Sequence, residues 1–198
     1  DSAETVYLNC LETFEAYLSK KSFPYATVSA QLAMVYYQRG MLVKAEDILV
    51  ESKNVIKSQL GAYHLGAYHP TYLGVVNNLG VVYSEKFDYI KAEKLFLEIL
   101  EARRQQYGEE HPEYLTTLSN LGLLYLKMGS LDISKKALED ALEKYKSRSV
   151  NSYNDLLYVT VLSNYAQYHR FFGNYDKAEQ LMLEILAVQK EKLGISHP

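Results

Sequence analysis

The chain is poor in the residues that carry most cross-linking and much chemistry. One cysteine, Cys10, stands among 198 residues, and there is no tryptophan. A lone cysteine cannot make an internal disulfide, so a disulfide-stapled scaffold is excluded and a reducing, cytoplasmic setting is the expectation. Proline numbers 4 and glycine 10, too few for a fibrous or low-complexity chain. Basic residues total 21 against 24 acidic ones, a net charge of −3. Without a basic excess there is nothing to draw a phosphate backbone, and nucleic acid is not an expected partner. No apolar run approaches the roughly 20 residues that span a bilayer, so no membrane partner is expected either. No glycine-rich phosphate loop and no nucleophile motif is present. The chain opens on Asp1 without a signal peptide and reads as a piece of a longer protein.

What the chain does have is repetition. A small residue recurs at Ala3, Ala45, Ala92, Ser134 and Ala178, at spacings of 42, 47, 42 and 44. A second small residue recurs 12 positions earlier, at Ala33, Gly80, Gly122 and Ala166. Tyrosine stands eight before this second residue in each copy (Tyr25, Tyr72, Tyr114, Tyr158), and an amide two before it (Gln31, Asn78, Asn120, Asn164). Self-similarity at this period means a stacked array of like units. The longest spacing holds the five-residue tandem duplication GAYHLGAYHP at 61–70, and the 44-residue spacing holds the polar stretch 146–155, read as a longer loop.

Apolar spacing makes each unit a pair of helices. First helices are expected near 24–39, 70–85, 112–128 and 154–172, and second helices near 41–60, 88–107, 131–146 and 174–193. Gly108 suits a left-handed helix end, and Pro112 suits a first turn, where its missing N–H is not needed. The expected organisation is a single array over 1–198. It holds a partial repeat at 1–22, repeats at about 23–65, 66–107, 108–149 and 150–193, and the start of another at 194–198. Uncapped ends of such an array raise the further expectation of self-association.

These residues resemble the tetratricopeptide repeat. A small residue is followed by tyrosine three later and a small residue twelve later, as in Gly80, Tyr83 and Ala92, or Gly122, Tyr125 and Ser134; the fourth unit departs with Ala166 and His169. The long period and the GxxHP phrases at 66–70, 108–112 and 194–198 are similar to the long variant of kinesin light chains and to arrays beside bacterial caspase-like proteases. The resemblance implies an all-α, right-handed superhelical solenoid of antiparallel helix pairs, whose first helices line a concave groove. It implies a non-catalytic scaffold that binds a partner protein or peptide, with no cofactor. The alternative is a regulatory or sensor arm of a larger polypeptide, contacting its own catalytic domain.

On that implication the groove residues are Thr27, Gln31, Met34 and Gln38 in the first unit and Asn77, Asn78, Val81 and Glu85 in the second. The third offers Thr116, Ser119, Asn120, Leu123 and Lys127, and the fourth Thr160, Ser163, Asn164, Gln167, Arg170 and Phe171. Ala30 and Gly74 belong to the same rows. An amide side chain donates and accepts at once, so the four amides suit an extended peptide backbone. Members that clamp a C-terminal carboxylate place lysine where this chain has Thr27, Gly74, Thr116 and Thr160, so a carboxylate clamp is not expected. Lys127 and Arg170 favour acidic ligand residues at that end.

Plainer readings stand beside these. The amides also suit ties between helices. The in-register tyrosines suit packing between repeats with the hydroxyl near water, leaving Tyr37, Tyr63, Tyr68 and Tyr168 as ligand candidates. His64 and His69 lack further metal ligands, and no metal site is expected; His69, His111 and His197 precede a proline or helix start and suit capping of backbone groups. Cys10 has no positioned base and is read as core, so no catalytic residue is assigned.

Overall fold

The computed structural model describes residues 2–60, 69–148 and 156–193. Every regular element among them is an α-helix: α1 (Ser2–Tyr17), α2 (Phe23–Gln38), α3 (Leu42–Leu60), α4 (Pro70–Glu85), α5 (Tyr89–Tyr107), α6 (Pro112–Lys127), α7 (Leu131–Ser147), α8 (Leu156–Phe171) and α9 (Tyr175–Leu193). The expected bounds that fall on described residues are met within two residues; the expected helix start at 154 lies outside them. Most of the tandem duplication, Tyr63, His64, Tyr68, the stretch 149–155 and His197 lie outside the described residues.

Helix starts follow from local chemistry. Ser22 caps α2, its side chain accepting from the Tyr25 N–H. His69 and His111 cap α4 and α6: each Nδ1 accepts a backbone N–H, from Thr71 at 3.2 Å and from Glu113 at 3.3 Å. His69 and His111 therefore satisfy backbone donors as the sequence suggested. A proline follows each of these caps in the first turn.

The turn inside each pair is also the same device four times. The N–H of Met41, Asp88, Ser130 and Asn174 donates back to the carbonyl of Tyr36, Tyr83, Tyr125 and His169, all within 3.0 Å. This six-to-one bond needs a left-handed residue just before the donor. Three turns use glycine there, as in Gly129 at φ 79°; the second uses Phe87 at φ 62°. A non-glycine in that region is strained by about 1–2 kcal/mol; the Phe87 side chain is exposed and meets the Tyr89 ring edge-on at 6.1 Å between centroids.

The helices divide into two compact units, residues 1–95 and 96–198, with α5 contributing to both. In the first unit α2 packs against α1 and α3, and α3 against α4. Ala33, Ala45, Leu49, Ile56 and Val76 are buried there. Ion pairs cross between successive pairs at the surface: Arg39 with Glu4 and Lys86 with Glu46. In the second unit α6 pairs with α7 and α8 with α9, and α8 also packs on α6. Its core joins Leu115, Ala141, Tyr145, Tyr158, Leu162 and Ala166. The small residue of this unit lets its helices approach closely. A Cβ built on Gly122 would meet Leu138 Cγ at 2.8 Å and Ala137 Cβ at 3.2 Å.

The in-register tyrosines Tyr72, Tyr114 and Tyr158 are buried, and the Tyr158 hydroxyl donates to Glu184 at 2.5 Å. Cys10 departs from the core reading: it is exposed. On α1 the buried residue is Leu11, and Cys10 lies about 100° round the helix from it, off the face that meets α2.

Candidate protein-binding surface

The expected groove residues separate by depth. In the second unit α6 and α8 lie side by side. Their C-terminal turns present Leu123 and Lys127, four apart, beside Gln167, Arg170 and Phe171, within five residues, so each set shares one helix face. These five line one cavity of about 520 Å³, together with Leu126, Gly129 and Tyr175. Leu126 forms its buried floor, packed with Leu138 and Tyr168, while Phe171 and Tyr175 are exposed on its wall. The charged residues of the lining are Lys127 and Arg170, and no carboxylate contributes to it.

Nearer the N-terminal ends of the same helices the surface closes. Thr116, Ser119 and Asn164 are buried, at 6%, 0% and 5% exposure. The Thr116 hydroxyl donates to Pro112 O and the Ser119 hydroxyl to Thr116 O, so both are held by their own helix. The Asn164 amide donates to Ser119 Oγ at 3.1 Å and to Asn120 Oδ1 at 2.9 Å, tying α8 to α6. At this rung the amide is a tie between helices, and these three side chains do not reach the surface. Asn120, Thr160 and Ser163 are half-buried. Tyr168, a ligand candidate from sequence, is buried against Leu126 and Leu138.

In the first unit Gln31 and Gln38 are exposed on α2, and Met34 and Thr27 are half-buried, with the Thr27 hydroxyl donating to Phe23 O. On α4, Asn77, Asn78, Val81 and Glu85 are half-buried. Tyr37 reaches from α2 to α4, its hydroxyl donating to Glu85 at 3.5 Å. Burial, then the neighbouring Glu85 charge, pushes the Tyr37 hydroxyl up to about 12, so it stays a neutral donor. Glu85 and Lys127 hold the same place in their repeats, five residues after Gly80 and Gly122, with opposite charge.

Leu126, Gly129 and Tyr175 were missed as lining residues. Gly129 belongs to the turn that closes its helix pair, Tyr175 opens the second helix α9, and Leu126 belongs to the apolar stripe, so a reading of groove-facing first-helix positions passes over all three. Among the described residues no group of three His, Cys, Asp or Glu side chains could hold a metal ion, and no helix is long and apolar enough to cross a membrane.

Two family models, both described as tetratricopeptide repeat, match residues 72–147 and 159–198, together more than half of the chain. The crystal structure of BtubC (BKLC) from P. vanneervenii is similar over 100% of this chain and 75% of its own, at 20% identity and a TM-score of 0.67. Nearly identical TPR-like repeats assigned to a kinesin light chain of Podosopora anserina are similar over 95% of this chain and 86% of theirs, at 16% identity and a TM-score of 0.62. At these identities the likeness is one of fold, an all-α helical-repeat solenoid. No curated protein matches the chain.

Proposed function

Because this chain belongs to the tetratricopeptide-repeat family, whose repeats serve generally as protein–protein interaction scaffolds without chemistry of their own, we propose that it binds a partner protein through the first-helix faces of its repeats. The observation that carries this reading is the cavity between the ends of α6 and α8, where five residues assigned from register line one space. An apolar floor, an exposed aromatic wall and two cationic side chains suit an extended partner segment with an apolar side chain seated on Leu123 and Leu126. Lys127 and Arg170 favour acidic residues beside it. The amides that remain accessible, Gln31 foremost, suit the partner's backbone in the first unit.

The test is affinity capture with the isolated chain, read by quantitative mass spectrometry, for wild type against Arg170→Ala with Phe171→Ala. Both residues are exposed, so thermal unfolding is expected to be unchanged. A set of proteins lost selectively in the variant supports the assignment. Identical capture by both chains sinks it.

A further inference from the structure

The first unit holds a second cavity, of about 380 Å³, bounded by α1, α2 and α3. Two of its lining side chains depart from the repeat. Ser29 stands four residues before Ala33, and Ser52 seven after Ala45. The same two places hold Val76 and Ile99 in the second repeat, Leu118 and Ala141 in the third, and Leu162 and Ile185 in the fourth. Only the first repeat has a small polar residue at both.

In the second unit Leu162 and Ile185 are buried members of the core and fill this place with hydrocarbon. In the first unit Ser29 and Ser52 are 9% and 2% exposed, and both line the cavity. Each serine lacks the methyl and methylene groups that close the seam in the fourth repeat, and dense interiors seldom tolerate such a gap. The volume lies in the range of small-molecule sites, which begins near 300 Å³.

The lining has a direction. Leu11, Leu32, Ile48 and Val55 make aliphatic walls. Lys20 and Lys44 stand at the boundary with Glu51 as the one carboxylate of the lining, Glu4 lies outside it and interacts with Lys44 and Tyr36, and Lys44 Nζ lies 3.7 Å from the centre of the Tyr36 ring, which also lines the space. Lys20 is paired with Glu15 outside the lining.

We propose that this cavity is a binding site for an aliphatic carboxylate of medium chain length, its chain against the leucine and valine walls and its head group at Lys44. The site is independent of the surface on α6 and α8, and either assignment can fail without the other.

Sodium decanoate, below its micelle concentration, is the probe, titrated into the whole chain and followed by calorimetry. Saturable binding of one decanoate per chain is expected, weakened at least about tenfold in Ser29→Leu with Ser52→Ile, which borrows the fourth repeat's residues. Lys44→Ala is expected to weaken decanoate more than 1-decanol. Methyl NMR on the wild-type chain keeps the test independent of how the filled variant folds: decanoate is expected to shift the Leu11, Leu32 and Ile48 methyls. Absence of saturable binding, shifts confined to other methyls, or wild-type affinity in a folded filled variant would overturn the site. Equal affinity for decanoate and decanol would overturn the anionic head group.

Discussion

The seams of the two units are built from the same helical phrase and held in different ways. In the first unit, ion pairs between successive helix pairs sit at the surface, Glu4 with Arg39 and Glu46 with Lys86, while Ser29 and Ser52 leave space beneath. In the second, the Tyr145 and Tyr158 rings pack at a tilt with 5.1 Å between centroids, Leu162 and Ile185 fill the seam, and Asn164 ties α8 to α6. The repeat dictates where helices run; the residues at a few register positions decide whether a seam is packed or open. A packed seam offers a firm platform for a partner on its outer face. An open one offers volume.

The largest expected effect breaks the packed side. Gly122→Leu forces carbon into space already occupied by Leu138, and chemical denaturation is expected to show a loss of about 1–3 kcal/mol. An unchanged denaturation midpoint would contradict the close approach. Next, Asn164→Ala removes both donors of the α8–α6 tie and leaves Asn120 Oδ1 without that amide; the same measurement should fall by about 1–3 kcal/mol. A loss below a few tenths would mean that the tie contributes nothing net.

A pH series sharpens the comparison within the second unit. His169 stands where the other repeats have tyrosine, and both its ring nitrogens are buried without a hydrogen-bond partner. It packs edge-on against Tyr165 and Tyr168 of its own helix, and faces Lys177 of α9 and Glu139 of α7. Burial, with Lys177 adding to it and Glu139 opposing, holds the imidazole below its ordinary value. The unfolded chain therefore binds the proton first, at about 6.5. Stability from this group is full above that pH and declines as pH falls from there through the lowered folded value. Thermal melts between pH 8 and pH 5 should show the decline in wild type and less of it in His169→Phe. Parallel curves for the two chains would remove His169 from the account.

The smallest effect belongs to the first unit's ion pairs. Glu46→Gln should lower stability by less than about 1 kcal/mol at low salt, and the difference from wild type should shrink further in high salt as screening grows. A salt-independent difference would mean that Glu46 acts by packing.

The helices were legible because small residues, apolar stripes and prolines recur at fixed offsets, and each offset has one physical meaning in a helix pair. The turn device was legible too: Gly40, Phe87, Gly129 and Gly173 all fall seven residues after the small residue, which marks Phe87 as the odd member. Register placed Leu123, Lys127, Gln167, Arg170 and Phe171 on shared faces, and the structure gathers them around one cavity. It failed for Thr116, Ser119 and Asn164. Register states which side of a helix a residue occupies but not how closely the neighbouring helix covers that side, and α8 lies over α6 there. Cys10 failed for the same reason in reverse, since α1 turns only one narrow face to α2. The serines at 29 and 52 were visible as departures from the repeat, but their consequence depends on volume, which a pattern of residue types does not carry.

Native-state hydrogen exchange, resolved by residue, tests the difference between the seams most directly. Backbone amides of α8 from Leu162 to Ala166 are expected to exchange at least about tenfold more slowly than those of α2 from Ser29 to Ala33, because only the former lie in a filled seam tied by Asn164. Equal protection in the two segments, or stronger protection in α2, would contradict it.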